Sequence, residues 1–323
     1  MFKIDGEKRY EQDIKAKINK LKARRKAVII VHNYQRDEVQ DIADITGDSL
    51  ALSQAAVKTD AEVIVFCGVH FMAESAAILN PKKKVLLPVK EAGCPLADMI
   101  TVEKLRTLKE KCPGAPVVCY VNTTAEIKAE SDICCTSSNA VRIVASLKDH
   151  KRVIFVPDKN LGMFVQSQLP DKEIILWEGF CPTHIKVQSE HIKEVKSVHP
   201  DAIVVAHPEC NQEVLAMADY VMSTGGMIKH VNRSNNKNFI IATESGIFYK
   251  LKKDNPEKKF FLPTEQLICP SMKLTTLGWV LHSLEFLKYE VKVPSEIADK
   301  AKRSLDRMLE VSGEPSGAAI SGV

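Results

Sequence analysis

The sequence predicts an α/β protein built as three homologous domains with parallel sheets. Three observations carry that prediction. Apolar runs with strand character alternate with helix-like amphipathic stretches, the pattern of parallel α/β units. Cysteine-proline pairs at Cys94, Cys181 and Cys269 lie 87 and 88 residues apart. Two further features, a His or Tyr closing a strand-like run and an aspartate after it, recur at the same spacing, and a fixed period of this kind marks a repeated structural unit.

The elements follow in chain order. The opening MFKIDGEKRY has no apolar h-region, so it is not read as a secretory leader, and a helix is expected over about residues 8–24. The runs VIIVH, VVCYV and IVVAH then open the three repeats and place His32, Tyr120 and His207 in register, 88 and 87 residues apart. Ala-Asp-Ile, Ser-Asp-Ile and Ala-Asp-Tyr do the same for Asp44, Asp132 and Asp219. After each aspartate a stretch rich in Gly, Ser and Thr leads into a helical pattern: TGDSLALSQAA, CCTSSNAVRIV and VMSTGGMIKHV. Two more strand candidates complete each repeat: VIVF and KVLL, VIFV and EIILW, FIIA and KFFL. The expected organisation is an N-terminal helix (1–25), repeats over 26–112, 113–200 and 201–285, and a C-terminal helix and tail (286–323). Helical patterns also cover KLTTLGWVLHSLEFLK and PSEIADKAKRSLDRMLEV, and EPSGAAISGV reads as a flexible tail.

Composition narrows the function. Lys and Arg total 45 and Asp and Glu 41, interspersed, for a net charge of +4; that excludes the basic face of a nucleic-acid binder but leaves room for small anions. No run approaches the roughly 18 apolar residues of a membrane span, so a cytoplasmic protein is expected. With nine cysteines, an odd count, and no secretory signal, a disulfide framework is disfavoured. Cys67, Cys119 and Cys134 lie in apolar runs, where a thiol is a small buried hydrophobe. Nine cysteines and 15 prolines in 323 residues give about 0.4 Cys-Pro pairs by chance, yet there are four. The fourth, Cys112 in KEKCPG, sits at an expected helix end and is coincidental.

In parallel α/β folds ligands bind at the carboxyl ends of the strands. His32, Tyr120 and His207, the Ser/Thr stretches and the Cys-Pro turns all belong to that edge, so three packed repeats would bring three cysteines to one ligand. Structural zinc wants four ligands with close-spaced cysteine pairs. Three lone thiolates suit a [4Fe-4S] cluster with one iron left open; three unrelated buried thiols is the alternative. Around it, His32 and Tyr34 alternate at a strand end and face one side. His207 and Glu209 in HPEC form an acid/base pair, and Tyr120 and Asn122 offer neutral hydrogen bonds. Cys210 falls outside the Cys-Pro column and ranks lower. Ser49, Ser137 and Thr224 stand near helix starts, where hydroxyls and backbone N–H groups bind phosphate or carboxylate. Ordinary N-capping is the plainer reading for any one of them.

HNYQRDEVQDIAD, GDSL, GVHFMAESAAILNP, AGCPLADM, YVNT, TSSNA, PDKNLG, WEGFCPTH, HPEC, STGGM, ATESG and CPSMK together resemble, in order, the signature segments of the quinolinate synthase family, from about Ala27 to Met308. The resemblance implies three homologous three-layer α/β domains with parallel sheets around a pseudo-threefold axis and one central [4Fe-4S] cluster, held by Cys94, Cys181 and Cys269. It implies condensation of iminoaspartate with dihydroxyacetone phosphate to quinolinate, phosphate and water, within NAD biosynthesis. The imine would come from an L-aspartate oxidase or an aspartate dehydrogenase. Substrate contacts then map to His32, Ser49, Tyr120, Val121, Asn122, Ser137, His207, Pro208, Glu209 and Thr224, and proton transfer to Tyr34, Tyr120, His207 and Glu209. CPSMK stands where the family has CPNMK, a change that leaves the cysteine before it intact. Cys134, Cys135 and Cys210 are extra thiols near the expected cavity. The rival readings are an open-iron hydro-lyase acting on a hydroxy acid, a non-catalytic iron-sulfur sensor and a zinc-stabilised scaffold.

Overall fold

Val, Ile and aromatic residues fill the short apolar runs, and in the computed structural model, which describes residues 2–313, these runs become twelve strands. The tail EPSGAAISGV lies outside the described residues. The first four strands are β1 (Ala27–His32), β2 (Ile45–Gly47), β3 (Val63–Cys67) and β4 (Lys84–Leu86). The next four are β5 (Val117–Tyr120), β6 (Ile133–Cys135), β7 (Arg152–Val156) and β8 (Glu173–Leu176). The last are β9 (Ile203–Ala206), β10 (Tyr220–Val221), β11 (Asn238–Ala242) and β12 (Lys259–Phe261). They form three four-stranded sheets with one order, second-first-third-fourth, and every pairing between the named strands is parallel. The internal strands are buried on both faces, as helix-covered parallel sheets are, which is why they read as continuous apolar runs.

The sequence pattern located the first, third and fourth strand of each repeat. It did not mark the second ones as a recurring element, because two or three residues carry no periodicity of their own. The N-terminal helix runs Phe2–Arg24, longer than expected, and the two late helices are Leu277–Phe286 and Ser295–Ser312.

The aspartate column has a structural cause. The Asp44 Oδ2 accepts the Ile29 N–H at 2.9 Å, Asp132 Oδ2 that of Val117 at 2.7 Å, and Asp219 Oδ2 that of Val204 at 2.8 Å. In return each aspartate donates its own N–H to the carbonyl of the same residue. Each repeat thus clips the entry to its second strand onto its first. We predict that Asp132→Ala costs about 1 kcal/mol, the net value of one such hydrogen bond, in urea unfolding; an unchanged midpoint would contradict the clip.

The chain divides into two compact units. One runs up to Cys94 and includes Cys269–Val293; the other comprises Pro95–Ile268 and the chain from Pro294. In the first, Ile14 and Ile18 of the N-terminal helix pack with Val31, Val65, Leu277, Val280 and Leu284 over the β1–β4 sheet. In the second, helix Ser295–Ser312 is pinned beside β6. There Ser304 Oγ donates to the Lys128 carbonyl at 2.9 Å and Arg307 Nη1 to the Asp132 carbonyl at 2.7 Å.

The thiols inside strands follow their surroundings. Burial pushes the Cys67 and Cys210 thiols up. Cys119 departs from the plain reading: burial works against its ionisation, yet hydrogen bonding with Cys134 and the charge of the fully buried Lys128 bring it down to about 7.

Candidate active site

A strand order of second-first-third-fourth reverses direction between its first and third strands, so in each sheet the crevice forms at the carboxyl ends of those two. The residues singled out from sequence lie there or on the turns beside them.

The three Cys-Pro turns are built alike. The residue two before the cysteine uses its carbonyl to accept an N–H from the segment that follows the third strand, a helix start or, in the third repeat, a loop. His70 donates to Ala92 at 2.7 Å, Lys159 to Gly179 at 2.8 Å, and Ser245 to Leu267 at 2.8 Å. Each cysteine is followed by a 3₁₀ turn, Ala97–Met99, His184–Lys186 or Met272–Leu274. Cys94, Cys181 and Cys269 are partly exposed, whereas the other six cysteines, Cys112 included, are buried. Proline fixes the turn that leaves each of these sulfurs partly exposed, and Cys112 ends helix Val102–Lys111.

The Cys181 turn is held most firmly. The buried Asp158 carboxyl accepts the N–H of Leu161 at 2.8 Å through Oδ1 and the N–H of Cys181 at 3.1 Å through Oδ2. Burial and then the charge of Glu209 push this carboxyl well above the usual range, against those donated hydrogen bonds. Close approach is obligatory at Gly179, where a Cβ would stand 2.3 Å from the Pro157 carbonyl oxygen. Gly179→Ala should therefore cost about 1–3 kcal/mol, as forced backbone shifts do; a thermal midpoint equal to wild type would show that the loop has room.

Glu209, almost completely buried, is the hub of the second unit. Its Oε2 lies 2.9 Å from His184 Nδ1 and 3.3 Å from His207 Nδ1, and Asn122 Nδ2 donates to Oε1 at 3.4 Å. The far nitrogens meet hydroxyls: His184 Nε2 is 2.8 Å from Thr243 Oγ1 and His207 Nε2 is 3.3 Å from Ser137 Oγ. An N–H at Nδ1 of His184 donates to the carboxylate while its Nε2 accepts from Thr243; His207 Nδ1 faces both the carboxylate and the Glu209 backbone N–H, a donor at 3.4 Å, so either tautomer of that ring finds partners. The rings stack at 4.6 Å. Burial alone would raise the Glu209 pKa, but His184 and His207 outweigh it and hold the carboxyl well below the usual range. His184 Nδ1 also lies 3.1 Å from Cys181 Sγ, so one imidazole touches both the presented thiol and the buried carboxylate. Cys181, His184 and Glu209 form a group whose donor atoms all lie within 4.8 Å of one another.

The hydroxyl column is not a set of helix caps. Asp48 caps helix Ser49–Lys58 and Ser223 caps helix Thr224–Arg233, while Asn139 holds the cap position of Ala140–Ser146. Ser49 and Thr224 stand next to those residues and Ser137 two before Asn139, so the plain capping reading fails for all three. In the second unit Ser138 Oγ donates to Ser223 Oγ at 2.8 Å, tying the Ser137 loop to the start of the Thr224 helix. Tyr120 closes β5, and the Val121 N–H donates to the Cys135 carbonyl at 2.9 Å, holding the loop that carries Asn122 beside β6. Pro208 lies between His207 and Glu209 in the turn after β9.

In the first unit β1 ends at His32, and Tyr34 lies in the turn beyond rather than on the strand. Their rings still meet edge to face at 4.7 Å, because the Tyr34 N–H donates to His32 Nδ1 at 3.2 Å. Ser49 opens its helix, with its carbonyl accepting from Ser53 Oγ.

Asp158, His184 and Thr243 were missed from sequence. For His184 a signal exists: three residues after each paired cysteine stand Ala97, His184 and Met272, all buried. A buried imidazole in an otherwise apolar column has a reason to be polar.

A family model described as quinolinate synthetase A protein matches residues 16–310. Among curated proteins, quinolinate synthase of Geobacter sp. (strain M21) is 56% identical over 301 residues, covering 93% of this chain and 98% of that protein. Quinolinate synthase of Caldicellulosiruptor bescii is 53% identical over 298 residues, covering 92% and 98%. Quinolinate synthase 2 of Methanosarcina acetivorans is 54% identical over 300 residues, covering 93% and 96%.

Proposed function

The chain belongs to the quinolinate synthetase A family, and from that premise we propose that it condenses iminoaspartate with dihydroxyacetone phosphate to quinolinate, phosphate and water. Cys94, Cys181 and Cys269 each give one thiolate to a [4Fe-4S] cluster. The observation that carries this reading is the equivalence of the three Cys-Pro turns, with the three partly exposed thiols at one position of a threefold repeat and six others buried. All-sulfur donors on separate turns fit an iron-sulfur cluster; zinc prefers close-spaced pairs. The same proposal includes repeat domains over 26–112, 113–200 and 201–285 around a pseudo-threefold axis.

When bound, the cluster supplies an iron without a protein sulfur that acts as a Lewis acid toward a substrate carboxylate or hydroxyl. The chain's own residues do the rest. Ser49, Ser137 and Thr224, with the N–H groups at neighbouring helix starts, receive phosphate and carboxylate oxygens. His32, Tyr120, Val121, Asn122 and Pro208 line the substrate; the Asn122 Oδ1 is buried with no partner among the described residues, an acceptor that suits a substrate N–H or O–H. Glu209, held ionised by two imidazoles, takes protons as the C–C and C–N bonds form. Its neighbour His207 passes protons through Nε2, and Tyr34 and Tyr120 deliver protons to departing oxygens.

The class of reaction that supplies the imine is the oxidation of aspartate, by an oxidase or a dehydrogenase, which places the protein in NAD biosynthesis. Among the described residues no helix is long and apolar enough to cross a membrane, and the proposed site of action is the cytoplasm, where thiols stay reduced. The test mixes anaerobically reconstituted protein with both substrates and measures quinolinate by chromatography. Product is expected; a fully loaded protein that makes none would overturn the reading in favour of a hydro-lyase.

A further inference from the structure

Two loops of the first unit, 237 residues apart in sequence, are laced together by contacts that the proposed chemistry does not use. One is the turn Tyr34-Gln35-Arg36 after β1; the other is Met272-Lys273, on the 3₁₀ turn that follows Cys269. Arg36 Nε donates to the Lys273 carbonyl at 2.7 Å, and Lys273 Nζ donates back to the Tyr34 carbonyl at 2.5 Å. Between them Gln35 Nε2 lies 3.6 Å from Met272 Sδ, with the Gln35 side chain wholly buried.

Each loop is also fixed internally. The buried Gln40 donates to the Asn33 and Gln35 carbonyls at 3.3 and 2.9 Å, and the Lys273 N–H donates to the Cys269 and Pro270 carbonyls at 3.3 and 3.1 Å. The crossed pair therefore joins two stiff loops. Its bonds are charge-assisted, cation to backbone carbonyl, which makes them stronger than neutral ones. A backbone carbonyl is also a geometric anchor, since moving it moves the residue that bears it.

We propose that Arg36 and Lys273 are positioning residues that set the Tyr34 ring and the Cys269 sulfur in one frame, so that retention of the cluster and proton transfer by Tyr34 depend on each other. The inference rests on the function proposed above and adds to it a device that neither the Cys-Pro column nor the strand-end residues contain. Groups that orient metal ligands and reacting side chains from behind are worth about ten- to a hundredfold in metal retention or activity.

The experiment uses the loaded full-length chain and Lys273→Met, which keeps the stem and removes the ammonium, with Arg36→Leu as its counterpart and Arg36→Lys as the conservative variant. Three readouts are taken: iron and sulfide content, the rate of bleaching of the cluster absorbance by excess EDTA, and kcat and KM. Lys273→Met is expected to load iron as wild type does, to bleach about tenfold faster and to lose about tenfold in kcat with little change in KM. Arg36→Leu should follow it, and Arg36→Lys should recover most of the loss. In a Tyr34→Phe background Lys273→Met should cost little further kcat, because both act through the same ring. A loaded, active wild type beside a Lys273→Met variant with the same bleaching rate and kcat would overturn the clamp alone, as would full additivity with Tyr34→Phe. A wild-type chain that takes up no iron and sulfide would overturn the proposed function and this inference with it.

Discussion

Glu209→Gln is expected to lower kcat for the proposed quinolinate formation by about a hundredfold or more, the usual weight of a positioned acid/base group, with iron content at the wild-type level. The physical reason is in the hub. His184 Nδ1 and His207 Nδ1 both face one carboxylate oxygen, Oε2; an amide oxygen can take that place, but the amide NH2 then meets the Asn122 Nδ2 donor at the Oε1 position. The substitution thus removes the base and sets two N–H donors, the new amide and that of Asn122, against each other. Stability should fall too, since a buried donor is left unmatched. The measurement is steady-state kinetics beside iron analysis of the same sample. A variant with full kcat would remove Glu209 from the chemistry, and a variant without iron would make it a cluster-site residue instead.

Cys94→Ala, Cys181→Ala and Cys269→Ala are each expected to abolish the proposed cluster and all activity, and Cys112→Ala to leave both intact. These four substitutions are chemically identical and all precede proline, so the contrast isolates placement. Cys112 is a buried helix-end residue, and the other three are partly exposed on equivalent turns. A two-thiolate site cannot hold a cubane against chelators, which makes the expected effect close to all-or-none. Visible absorbance near the thiolate-to-iron charge-transfer bands reads it directly. An intact cluster in any of the first three variants would break the ligand set.

Much of this was legible in the sequence because the protein repeats itself. Period, strand runs and Cys-Pro turns pointed to three alike parallel α/β units, while the strand order they share emerged only in the structure; the aspartate column marked a real bond in each. What stayed hidden was of two kinds. The strands β2, β6 and β10 are too short for any alternation to show. Residues such as Asp158 and His184 act through partners far along the chain, Cys181 and Glu209 for example, and no local pattern announces them. His184 was visible only as an exception, a polar residue in a column that elsewhere reads Ala97 and Met272. The crossed bonds between Arg36 and Lys273 join positions 237 residues apart, beyond any periodic signal.

The central claim is that three thiols, equivalent by repeat, hold one iron-sulfur cluster. Counting iron and acid-labile sulfide in the anaerobically purified wild-type chain tests it most directly. The account predicts about four of each per chain, the stoichiometry of one [4Fe-4S] cluster; a colourless protein with one zinc per chain and no sulfide would contradict it.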